Sequence, residues 1–181
     1  MKFSALAAHL ALAVTCVLAT VAPAQAQFWQ CAPFARSISG IDIRGNADTW
    51  WGQAAGHYAR GTAPRAGAVL AFAATSRMRV GHVATVSRVI SDREVLLTHA
   101  NWSRPGQVET NVRAVDVSPE GDWSMVKVWY APVGGLGTSA NPARGFIYPS
   151  GSGEAVATVT LASRGDPRGI AALVAGLTPE G

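Results

Sequence analysis

The chain has 181 residues, with 15 Lys plus Arg against 11 Asp plus Glu, a formal charge of +4. That length allows one domain of ordinary size with a tail. Hydrophobic residues at 49% and charged residues at 14% exclude an acidic disordered chain, and two cysteines exclude a disulfide-built miniprotein or a four-cysteine zinc module. The positive charge is mild and dispersed, so no nucleic-acid partner is expected.

Met1-Lys2 gives a short positive start, Phe3 to Ala22 is an apolar run, and Pro23-Ala24-Gln25-Ala26 offers small residues at the −3 and −1 positions of a cut. The pattern predicts a signal peptide over residues 1–26, cleaved after Ala26, in preference to a retained membrane anchor. The expected location is periplasmic or secreted, with no stable membrane insertion after cleavage. Removal takes Cys16 away and leaves Cys31 alone. Oxidising compartments tend to pair cysteines, so a single one reads as a reactive thiol or an intermolecular bridge.

All six tryptophans lie between residues 29 and 129, which places the folded domain at 27–132. Residues 133–181 are rich in Gly and Pro and read as a largely disordered tail. One short helix is expected there over 167–175, with Asp166 as its cap, Pro167 at its first position and Gly176 at its end. Within the domain, Pro33 to Ser39 predicts a short helix ending at Gly40. Asn46 or Asp48 caps a second helix running through Ala59. Thr62 to Gly67 is a turn, and Ala68 to Phe72 a short buried strand. His82–Ile90 and Glu94–Asn101 form a hairpin through Ser91-Asp92-Arg93. Val108–Val117 supplies one or two short strands, and Met125–Tyr130 alternates like a strand that Pro132 ends. Helices followed by a mostly antiparallel sheet make an α+β domain.

Pro33 is tolerated in the first turn of a helix and hardly elsewhere, so Cys31 sits at or just before a helix N-terminus. There the dipole and unpaired backbone N–H groups favour a thiolate, and the same N–H groups can donate to an oxyanion. The competing reading is a buried small hydrophobe. A thiol nucleophile needs a base, and His82 begins a strand of the expected hairpin. With a two-residue loop, His82 faces Asn101 or a residue within two of it, and His99 shares that face. A three-residue loop reverses the parity.

These residues form a recognisable series. Cys31-Ala-Pro-Phe-Ala-Arg36, Gly45-Asn-Ala-Asp-Thr-Trp-Trp51, Pro64-Arg-Ala-Gly-Ala-Val-Leu-Ala-Phe72, Gly81-His-Val-Ala84 and His99-Ala-Asn-Trp102, in that order, resemble the CHAP domain, a cysteine- and histidine-dependent amidohydrolase/peptidase. The resemblance covers residues 27–132. It implies a papain-like fold and a cell-wall hydrolase that cuts an amide bond of peptidoglycan, as amidase or endopeptidase, through a thioester intermediate. It makes Cys31 the nucleophile and His82 the general base, working as a thiolate–imidazolium pair. Many CHAP domains carry Glu-x-Asn-Trp next. Here His99 occupies the glutamate position, which is similar to the Cys-His-His triad of NlpC-type peptidases. The group orienting His82 is therefore His99 or Asn101.

Two other readings compete. One is a non-catalytic secreted or wall-binding module of the same fold. The other is a zinc protein using Cys31, His82 and His99, although no close ligand spacing supports it. An acyl transferase would use the same Cys–His pair. No cofactor and no metal are expected. The expected partner is peptidoglycan or another amide substrate, met by a monomer.

Overall fold

The computed structural model describes residues 27–150. The expected signal peptide and the expected helix over 167–175 lie outside the described residues. Two helices come first, α1 (Cys31–Ser39) and α2 (Ala47–Gln53). Eight strands follow: β1 (Arg60–Gly61), β2 (Val69–Phe72), β3 (His82–Ser91), β4 (Glu94–Ala100), β5 (Val108–Asp116), β6 (Met125–Tyr130), β7 (Gly135–Leu136) and β8 (Asn141–Ile147). The α+β expectation holds in this form: few helices, then a mostly antiparallel sheet.

Helix α1 ends as its sequence dictates, with Gly40 in the left-handed region at φ 73°. Helix α2 starts after Asn46 as expected but stops at Gln53, short of Ala59. Gly52 and Gly56 weaken the helix there, and tight turns replace it, with Ala54 O accepting from both His57 N and Tyr58 N.

The strands run in the order β1-β8-β2-β3-β4-β5-β6-β7, and β8 also pairs with β6. That second pairing joins Met125 to Pro142 and Val126 to Asn141, closing six strands into an antiparallel barrel. Leu70, Phe72, Ala84, Val86, Val95, Leu97, Ala114, Val126, Val128 and Phe146 fill its inside. Alternate residues of β2, β3 and β8 (Val69, Ala71, Val83, Ile147) face outward and pack against Cys31, Ala35, Ile41, Ala47 and Trp50 of the helical layer. Strand β2 is thus buried on both faces, which explains its continuous apolar run. Each fully buried side chain of this size contributes roughly 1.5–3 kcal/mol.

The expected boundary at 132 is corrected by β8. Its Gly/Pro-containing sequence lies between β1 and β2, with Phe146 and Ile147 both at 0% exposure. The folded part therefore runs on to the end of the described residues. Composition suggested a tail because Pro142 and Gly145 interrupt the strand, but pairing on both edges overrides that weak propensity.

Candidate active site

A cleft of about 630 Å³ opens at one end of the barrel, between the N-terminus of α1 and the β2–β3 connection. Cys31, His82, Asn101 and Trp102 line it together with Gln30, Arg77 and Arg79. The sequence-predicted thiol and base thus meet in one cavity.

Cys31 is the first residue of α1 and is 8% exposed. The first helical bond runs from Phe34 N to Gln30 O, and Pro33 has no N–H, so the N–H groups of Cys31 and Ala32 are left over. Both point at the thiol, as does Val83 N–H, and these bonds favour the thiolate. Burial outweighs them and pushes the Cys31 thiol above its ordinary value.

Gly81 delivers His82 to the cleft. Its φ is +67°, and an added Cβ would lie 2.7 Å from Asp48 N and 2.8 Å from Phe72 O. Only glycine lets the chain turn that close to both backbones before β3 begins.

His82 Nε2 lies 2.9 Å from His99 Nδ1. The register explains the contact. Asp92-Arg93 makes a two-residue loop, with Ser91 paired to Glu94. Two irregularities then leave Ile90 and Ser87 as extra residues on β3. Each reverses the parity, so together they restore it. Extended from the Thr85–Thr98 pair, the register sets His82 across from Asn101 and diagonal to His99 on the same face.

Asn101 makes its side-chain hydrogen bonds away from the His82 ring. Its backbone is left-handed at φ 62°, its Nδ2 donates to Gln30 Oε1 at 2.9 Å, and its Oδ1 accepts from Gly106 N at 2.9 Å. Of the two expected orienting groups, His99 makes the contact, and Asn101 braces the residue before the thiol.

Trp102 covers the imidazole pair. Its ring centroid lies 4.7 Å from that of His82 and 5.7 Å from that of His99, while Phe72 stands 5.9 Å from His82. Trp102 Nε1 donates to Trp129 O, so the indole is fixed in place. This aromatic enclosure keeps both rings uncharged. Burial, and secondarily the neighbouring His99, hold His82 well below the ordinary imidazole range. Burial lowers His99 to about 3.

Glu109 is the group that sequence reasoning missed. It pairs across the sheet with His99, and its Oε2 lies 3.6 Å from His99 Nε2. Ser103 donates to both of its oxygens, from N at 3.0 Å and from Oγ at 2.6 Å. Only the β4–β5 register, with its own irregularity between Leu97 and His99, places this carboxylate behind the ring.

Residues 22–101 match the family model of the CHAP domain. Over that stretch the chain is similar to the CHAP domain. CHAP domains are cysteine- and histidine-dependent amidohydrolases and peptidases. The match contains Cys31, His82, His99 and Asn101 and ends before Glu109 and β8. No curated protein matches the chain.

Proposed function

We propose that this protein is an exported cysteine hydrolase that cleaves an amide bond of peptidoglycan, with Cys31 as nucleophile, His82 as general base and His99 as the group that orients His82. The observation that carries the reading is the convergence in one cleft of a helix-opening thiol and an imidazole that is hydrogen-bonded to a second, buried imidazole. A cysteine-opened helix packed on an antiparallel barrel that bears the histidine also supports a papain-like relation. Export rests on the signal pattern over residues 1–26, and a periplasmic or secreted enzyme would meet its substrate there.

Burial raises the Cys31 thiol and lowers the His82 imidazole, which favours the neutral form of both in the resting cleft. This departs from the ion pair implied by the resemblance. As the sulfur attacks the substrate carbonyl, the thiol proton moves to His82. Charge then develops on the carbonyl oxygen near the N–H groups of Cys31 and Ala32, where each well-placed donor contributes about 2.7–4 kcal/mol. His82 returns its proton to the leaving amine, and water, deprotonated by His82, opens the thioester.

The cleft favours an anionic substrate. Arg77 and Arg79 line it, and among the described residues no Asp or Glu does. Stem peptides of the wall carry free carboxylates, which fits this sign. The zinc reading gains no support, since one ring nitrogen of each histidine is engaged by the other ring and, among the described residues, no group of three or more His, Cys, Asp or Glu could hold a metal ion.

Digestion of purified peptidoglycan, with fragments identified by mass spectrometry, tests the proposal. The wild type should release peptide fragments with a new amine end, and Cys31→Ala should release none. Equal release by both proteins removes Cys31 as nucleophile. Binding without release by either supports the non-catalytic wall module instead.

A further inference from the structure

His99 Nε2 is a buried ring nitrogen with no hydrogen-bond partner among the described residues, and Glu109 Oε2 faces it at 3.6 Å. The side chains are 0% and 12% exposed, so water does little to screen them from each other. Glu109 cannot swing away freely, because Ser103 holds both oxygens and Ser103 Oγ itself accepts from Ala131 N at 3.0 Å.

A carboxylate oxygen only accepts. A ring nitrogen facing it at this distance is favoured as N–H and disfavoured as a lone pair. In a neutral imidazole, a proton on Nε2 leaves Nδ1 as the acceptor. His99 Nδ1 then accepts from His82, which requires the His82 proton on Nε2. The lone pair of His82 is thereby confined to Nδ1, the only ring nitrogen left to take a proton from Cys31.

We propose that Glu109 is a positioning residue: through Ser103-held oxygens it sets the tautomer of His99, and through His99 the tautomer of His82 that is competent as a base. It touches neither the substrate nor the thiol. This role rests on the proposed Cys31–His82 chemistry for its meaning, but the tautomers themselves can be read without any substrate. The opposite arrangement, with protons on both Nδ1 atoms, would satisfy the His82–His99 contact equally well and leave His82 unable to act. The carboxylate is what separates the two.

The test is nitrogen-15 NMR of the histidine rings in the full chain at pH 7.5, with the His9 and His57 signals identified by substituting each of them. The wild type should show both His82 and His99 protonated on Nε2. Glu109→Ala should move part of the His99 population to the Nδ1–H form and His82 with it. Glu109→Gln, which keeps an oxygen able to face Nε2, should restore most of the Nε2–H form. If Glu109→Ala does not fold, the wild-type and Glu109→Gln spectra still decide. In hydrolysis assays kcat should fall roughly 10–100-fold in Glu109→Ala, as for other groups acting through a neighbour, with KM unchanged. A wild-type His82 protonated on Nδ1 overturns the proposal, as do unchanged tautomers in Glu109→Ala. A chain with the predicted tautomers and no hydrolysis would sink the proposed function while leaving this assignment standing.

Discussion

Two enclosed imidazoles joined by a 2.9 Å contact make the site sensitive to acid. His99 is held to about 3 in the folded chain, against an ordinary value of 6.5. Between those values the unfolded chain binds the extra proton, so stability is full above about pH 6.5 and falls as pH drops. One such histidine lowers stability by about 2 kcal/mol at pH 5 relative to pH 7.5. His82 is shifted in the same direction and adds to the loss. Glu94 and Asp122 are lowered from ordinary values of 4.5 and 3.8, so the stability they contribute is nearly all present at pH 5 and is lost as pH falls further. Urea unfolding at pH 7.5 and 5.0 should therefore show a drop of at least about 2 kcal/mol. A flat response would mean that the rings are not buried in the neutral form. Cys31 and His82 were legible in the sequence because their chemistry is tied to local features, a proline-opened helix and a glycine before a strand. Glu109 was not, because its place beside His99 depends on the register between β4 and β5.

The elements were largely legible where local chemistry decides them. Strand β6 falls on the expected residues, and α1 ends at the expected Gly40. The His82–His99 diagonal was a matter of parity, and it survives only because the extra residues Ser87 and Ile90 cancel. No local signal announces such a pair of bulges. The start of β3 is more strongly determined. Gly81→Ala would drive a Cβ into the backbone of Asp48 and Phe72 and break the 2.8 Å bond from Asp48 N to Val80 O. Since backbone must move on both sides, the expected cost is about 2 kcal/mol or more, with the first residue of β3 displaced. Gly40→Ala is the matched comparison, because φ is +73° there but nothing lies within 4 Å of an added Cβ. It should cost about 1 kcal/mol from the left-handed backbone alone and leave hydrolysis unchanged. Thermal unfolding and kcat measured on both variants separate the two. Equal losses of activity would show that the close approach at Gly81 does not position His82.

At the scale of the whole molecule, the site exists because the barrel closes. Strand β2 shares one edge with β3, which begins at His82, and the other with β8. Strand β8 then reaches β6 and so ties the two ends of the sheet together. It also serves both cores, with Phe146 inside the barrel and Ile147 against the helical layer that carries Cys31. A chain cut after Pro132 loses both of these side chains and Tyr148, which is 5% exposed. The first two alone represent roughly 3–6 kcal/mol of burial, and the cut would also bare the edges of β2 and β6. Typical domains have only about 5–15 kcal/mol of total stability, so residues 27–132 should not fold cooperatively. Residues 27–150 keep every described strand and should unfold in a single transition. Thermal melts followed by circular dichroism on the two fragments distinguish these outcomes. A cooperative transition for 27–132 at the Tm of 27–150 would show that the barrel does not need its closing strand. The same melt repeated with Phe146→Ala in the longer fragment should show a partial loss, about 3–5 kcal/mol, because the strand pairing remains while one core loses its side chain.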